Sequence, residues 1–102
     1  MNVAITAISY ATGDKKLTSE ELALRFGADA MKKIESISGF LQRRVASENV
    51  CASDLAFKAC ELLFEKRPTL RNEIDLLVFA TQTPDYIMPS TACIMQDRLR
   101  LK

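Results

Sequence analysis

Three cysteines, one arginine doublet and the segment TQTPDYIMPS hold most of the chemistry open to this 102-residue sequence. Cys93 follows Ser90 where a helix start is expected, and the positive end of a helix dipole lowers a thiol pKa. That would make it a nucleophile. Its neighbours are Ala92 and Ile94, no cation is nearer in sequence than Arg98, and the chain contains no histidine. No Cys-His or Ser-His pair can therefore form within it. Free cysteine is also among the most buried residue types, so Cys93 reads as a packing residue. Cys60 lies on or beside the apolar stripe of a helix, and nothing around Cys51 suggests activation. An odd number of cysteines without CxxC spacing fits reduced thiols better than disulfides or zinc.

The segment from Thr81 to Ser90 is richer. Loops leaving the carboxyl ends of strands in α/β sheets are where ligands bind. Thr81, Gln82 and Thr83 place hydroxyls and an amide there, Pro84 and Asp85 turn the chain, and Tyr86, Ile87 and Met88 carry apolar mass outward. Thr83, Ile87 and Met88 are the candidate substrate contacts. The same composition suits a cover over the core or an interface. The doublet Arg43-Arg44 is a candidate phosphate clamp, or a solvated pair bridging to Glu48.

The elements that must position these residues follow from periodicity. Val3 to Thr12 is rich in β-branched residues and reads as a strand, closed by a turn at Gly13-Asp14. Thr18 and Glu21 form a capping box, Leu17 and Leu22 can staple across it, and Gly27 ends the helix. A second helix shows Met31, Ile34 and Ile37 on one face and stops at Gly39. Leu41, Arg43 and Val45 alternate with polar residues as in an extended segment. The clearest helix begins near Cys51, with Leu55, Ala59, Leu62 and Leu63 on a shared face, Asp54 in the first turn and Lys66-Arg67 before Pro68. Ile74 to Thr81 is a nearly continuous apolar run, as in a strand buried on both faces. A final helix starts near Pro89-Ser90.

This order predicts an α/β fold in which the two strands lie parallel through a right-handed crossover. Residues 1–102 read as one domain, incomplete because two strands leave open edges. Hydrophobic content of 48% and charged content of 26% suit a folded globular chain. A formal charge of +1 offers no field for a nucleic acid. No apolar run is long enough for a membrane span and no secretory leader is evident, so a cytoplasmic location is expected.

Several segments, taken in order and spacing, resemble one family. NVAITAISYATGDKKLTSEELALRFG, GFLQRRVASENVCASDLAFKA and EIDLLVFATQTPDYIMPSTACIMQDRL are similar to the amino-terminal part of β-ketoacyl-acyl-carrier-protein synthase III and its thiolase-like relatives. The likeness spans nearly the whole chain. It implies a duplicated thiolase-like α/β fold of which this is an incomplete amino-terminal half, truncated before the catalytic cysteine. It further implies an acyltransferase, homodimeric when complete, that condenses an acyl thioester with malonyl-acyl-carrier-protein. The family's nucleophilic cysteine, histidine and asparagine would fall after Lys102, leaving these residues inactive alone and without a cofactor of their own. Met88 matches the residue before the family's Pro-Ser, which reaches across the dimer to shape the partner's acyl pocket, with Thr83 to Ile87 at the interface. Lys33 and Ile37 align with an aromatic residue and an arginine that serve coenzyme A in relatives. Their replacement implies an acyl donor that is carrier-protein-bound or another thioester as readily as acyl-coenzyme A. The competing expectations are a stand-alone interaction module and another thiolase-like condensation, such as a polyketide starter synthase.

Overall fold

The structure, a computed structural model, describes residues 2–102. Seven elements occur in the order β1 (Lys15–Thr18), α1 (Ser19–Phe26), α2 (Ala28–Ser38), β2 (Gln42–Val45), α3 (Ala52–Lys66), a 3₁₀ turn (Pro68–Asn72) and α4 (Thr91–Arg98). They fall into two compact units, Thr12–Asn49 and a second made of the residues up to Ala11 together with Val50–Lys102.

In the Thr12–Asn49 unit, β1 and β2 pair antiparallel, with Lys15 opposite Val45 and Thr18 opposite Gln42. The sequence shows a turn at Gly13-Asp14 and no strand after it. The pairing partner lies 30 residues on, beyond two helices, which is why local pattern does not show it. Thr18 caps α1 as expected: its Oγ1 accepts from the Glu21 amide at 3.3 Å, and Glu21 Oε2 accepts from the Thr18 amide at 2.8 Å. Ser19, buried at the first helical position, donates its amide and its hydroxyl to the Leu41 carbonyl at 3.1 and 3.0 Å. These bonds tie the start of α1 to the entry of β2. Gly39 ends α2 in the left-handed conformation and donates to the Glu35 carbonyl at 2.8 Å. The expected apolar face of α2 is buried at Met31 only, Ile34 and Ile37 being exposed.

The other unit is organised by α3. Phe64, Met95 and Leu99 are buried together, with Ala56, Phe57, Cys60, Leu70, Ile74, Leu77 and Phe79 packed against them. The inward stripe of α3 thus runs through Ser53, Ala56, Phe57, Cys60 and Phe64, in place of the expected Leu55, Ala59, Leu62 and Leu63. Apolar residues occupy most of this helix, so periodicity alone does not choose among rotations of its face.

The expected parallel pair is not formed among the described residues. Val3–Thr12 and Ile74–Thr81 are outside any strand ladder, and the sheet present is the two-stranded one just described. A strand is completed by a neighbour that takes its amides and carbonyls, and neither segment has one. Ile74, Leu77 and Phe79 lie against the core, whereas Leu76 and Val78 are each 78% exposed, so this run is covered on one face and not on both. Val3, Ile5, Ile8 and Tyr10 are exposed likewise.

Gly13 is buried, and a β-carbon built on it would collide with the Val45 carbonyl group and the Ala46 nitrogen. Backbone cannot give way as a flexible side chain can. Gly13→Ala is expected to destabilise by about 1–3 kcal/mol, the usual cost of overpacking, read as a lower urea midpoint with an unchanged slope.

Candidate functional site

The Thr81–Ser90 loop is held at its roots. Thr81 Oγ1 accepts from the Thr83 amide at 3.1 Å, and Ser90 caps α4 by accepting from the Cys93 amide at 3.4 Å. The Met88-Pro89 peptide is cis. At the tip, Ile87 is 99% and Met88 83% exposed, and Tyr86 and Thr83 are exposed as well. The three candidate contacts Thr83, Ile87 and Met88 thus share one loop and are brought to the surface together. A cleft of about 260 Å³ beside α4 is lined by Ile74, Leu76, Leu77, Ala92, Cys93 and Gln96, and none of the three faces it.

One tether between the loop and the rest of its unit has no signal in the local sequence. Ser53, 1% exposed, donates its hydroxyl to Asp85 Oδ2 and accepts from Arg98 Nη1 at 3.1 Å. Arg98 Nη2 meets Asp54 Oδ1 at 2.9 Å, and its guanidinium lies 4.7 Å from the centre of the Phe57 ring. Asp54 Oδ2 in turn accepts from the Cys51 amide at 2.9 Å, closing the first turn of α3. Asp85 Oδ1 is buried without a partner. The residues involved are 32 and 45 positions apart in pairs, so only the fold could reveal them.

Cys60 packs against the core and Cys51 is the N-cap of α3, whereas Cys93, expected from the sequence to be a packing residue, is exposed. Its sulfur accepts from Ser90 Oγ at 3.2 Å, and the chain has no histidine to take its proton. Burial first and the neighbouring Glu61 second push the Cys60 thiol up. That keeps it protonated at neutral pH.

Arg43 and Arg44 are consecutive in β2, and successive strand residues point to opposite faces. Arg44 Nη1 donates to the Asp14 carbonyl at 3.3 Å, whereas Arg43 lines an apolar cleft of about 290 Å³ with Leu17, Leu22, Phe26, Met31 and Ile34. A joint clamp on one phosphate is therefore ruled out by the pleat. No group of three or more metal-ligating side chains forms among the described residues, and no described helix is long and apolar enough to cross a membrane.

Comparison with known proteins decides what kind of scaffold this is. No protein-family model matches the chain. The chain is 33% identical over 99 residues to β-ketoacyl-[acyl-carrier-protein] synthase III of Syntrophomonas wolfei, covering 97% of this chain and 30% of that protein. The β-ketoacyl-[acyl-carrier-protein] synthase III of Thermus thermophilus superposes with a TM-score of 0.80 at 33% identity, over 98% of this chain and 31% of that one. The chain is similar to ketoacyl synthase III over nearly all of its length and has a thiolase-like α/β fold. OleA of Xanthomonas campestris shares the fold at 27% identity and a TM-score of 0.79, over all of this chain and 33% of that one. The chain thus spans about 30% of the length of the curated relative it matches. The α/β assignment made from sequence stands, although the paired strands are others than those expected.

The Cys51 amide first, and the Arg98 guanidinium second, hold the Asp54 carboxyl below its ordinary 3.8. A depressed carboxyl pKa contributes stability that is present above the unfolded value and lost as pH falls through the folded one. A carboxyl-carbon NMR titration should therefore give Asp54 a midpoint below 3.8, with the first turn of α3 loosening as it protonates. Arg98→Met should raise that midpoint only part of the way, since the amide contribution remains.

Proposed function

We propose that these residues are the amino-terminal portion of a longer, cytoplasmic, homodimeric acyltransferase of the 3-oxoacyl-acyl-carrier-protein synthase III type, acting in fatty acid or related biosynthesis. It joins an acyl thioester, carried by coenzyme A or by acyl-carrier-protein, to malonyl-acyl-carrier-protein. The observation that carries this reading is the likeness over nearly all of the chain to about 30% of a protein of that name, in sequence and in fold together.

Within that enzyme the residues described here shape and do not react. Met88 and Ile87 form an apolar lip, Met88 being an unbranched thioether able to fit chains of varying shape. Thr83 is exposed on the same loop. Lys33 and Ile37 are exposed on α2 and offer neither a ring to stack on an adenine nor a guanidinium for its phosphates. That favours a donor recognised by other means.

A second reading, a module that pairs with itself, is favoured by the two unpaired segments with exposed Val3, Ile5, Leu76 and Val78. Sedimentation of the 102-residue chain separates the two, since the module reading requires a defined dimer at micromolar concentration.

The purified chain is expected to show no acyl transfer and no malonyl decarboxylation; turnover that disappears in Cys93→Ala would contradict the proposal. In the protein encoded by the complete reading frame, Met88→Trp should shorten the accepted acyl chain, lowering kcat/KM for the longer substrates by about 10-fold, as filling a pocket by a few methylenes does. An unchanged chain-length profile counts against Met88 as a pocket wall.

A further inference from the structure

We propose that Ser53, Asp85 and Arg98 are positioning residues that set the pose of the Thr83–Met88 loop, and through it the range of acyl chains admitted. This rests on the acyltransferase reading above. The loop's tip is almost fully exposed at Ile87 and Met88, so its own packing cannot decide where it stands. Its sequence-local bonds fix only the two roots, at Thr81 and Ser90. Between them the Asp85 carboxylate is bound to Ser53, a residue of α3 that is 1% exposed.

The arrangement around Ser53 has a fixed direction. A hydroxyl has a single hydrogen, and the Arg98 Nη1 donor at 3.1 Å occupies its oxygen from one side. The hydrogen therefore points at Asp85, and each bond polarises the other. Arg98 is itself locked by Asp54 Oδ1 at 2.9 Å and by stacking on Phe57 at 4.7 Å. The cluster thus runs from the first turn of α3, through the last turn of α4, to the middle of the loop. Asp85 lies two residues before Ile87 and three before Met88. A shift at the carboxylate is carried to the lip with little chain to absorb it. Small displacements of positioning groups are costly for substrates that depend on them.

A residue that only stabilised the fold would lower activity toward all substrates alike. A positioning residue changes their ratio. The test measures kcat and KM for a short and a long acyl thioester in the protein of the complete reading frame, with Ser53→Ala, Asp85→Asn, the double variant and Met88→Trp. Ser53→Ala and Asp85→Asn should each change the long-to-short ratio of kcat/KM by about five-fold or more, chiefly through KM, in the same direction. The double variant should change it no further than the larger single one, because both act on one bond, which Ser53→Ala removes and Asp85→Asn weakens by taking away the acceptor's charge.

An unchanged ratio in both single variants, with Met88→Trp shifting it, overturns the positioning role and leaves the acyltransferase reading standing. No shift in Met88→Trp either overturns the positioning role together with Met88 as a pocket wall, whereas only a lack of acyl transfer by the unsubstituted protein overturns the acyltransferase reading. Should Ser53→Ala fail to fold, the half-buried Asp85 carries the test through Asp85→Asn. There, amide exchange at residues 83–88 must also quicken while α3 keeps its protection, and unchanged exchange overturns the proposal.

Discussion

The unit built on α3 depends on how the run from Ile74 to Phe79 lies against Phe64, Met95 and Leu99. Burying each such side chain is worth about 1.5–3 kcal/mol, and three fully buried ones make a small core. Arginines close its rim in a repeated way. Arg71 pairs with both carboxylate oxygens of Glu61, at 2.8 and 3.1 Å, and lies 4.5 Å over the Phe64 ring. Arg98 pairs with Asp54 and lies over Phe57. Each guanidinium thus covers an aromatic ring of α3 and meets an acid of α3, while arriving from a different neighbour. Arg71 comes from the 3₁₀ turn and also donates to the Leu99 carbonyl, and Arg98 comes from α4. Exposed ion pairs contribute little, but planar cations stacked and paired at once lose less freedom per bond formed. Together they hold the 3₁₀ turn and α4 against α3.

What was legible in the sequence is what is decided within one helical turn. The Thr18 and Glu21 box, the Gly39 stop and the Ser90 cap all involve partners three or four residues apart, and each is formed. The loop with Thr83, Ile87 and Met88 was legible as well, because turn residues followed by exposed apolar ones are a local pattern. Illegible were the contacts whose partners are remote: Ser53 with Asp85, Arg98 with Ser53, and β1 with β2. The buried stripe of α3 falls between these cases. Its helical character is local, but which face turns inward depends on Met95 and Leu99, which the helix itself does not encode.

The two strand-like runs show a third kind of failure. Val3–Thr12 and Ile74–Thr81 have the composition of strands, yet neither has a ladder. Composition reports that a segment suits a pleated, half-buried surface, and it is silent on whether a neighbour is present to complete it. Ile74 to Phe79 keeps its place because one face is packed on α3 and α4. The bare side chains Leu76 and Val78 on the other face mark apolar surface that the described residues do not cover.

The distribution of reactive groups follows the same division. Covalent acyl chemistry needs a nucleophile with a base beside it, and the candidates here fail for separate physical reasons. Cys60 is desolvated and its thiol raised, Cys93 has Ser90 as its partner at sulfur, and no imidazole exists in the chain. What the chain does supply is unusual directional order around one buried hydroxyl. Ser53 has its oxygen claimed by a cation and its hydrogen by an anion, so its orientation has no freedom left. A polar cluster of this kind specifies geometry more than it adds stability, because Asp85 Oδ1 stays buried without a partner and the Arg98–Asp54 pair is partly exposed, where ion pairs contribute little. Three charged groups around Ser53, ending on a loop whose apolar tip is bare, make sense where the placement of that tip is what matters.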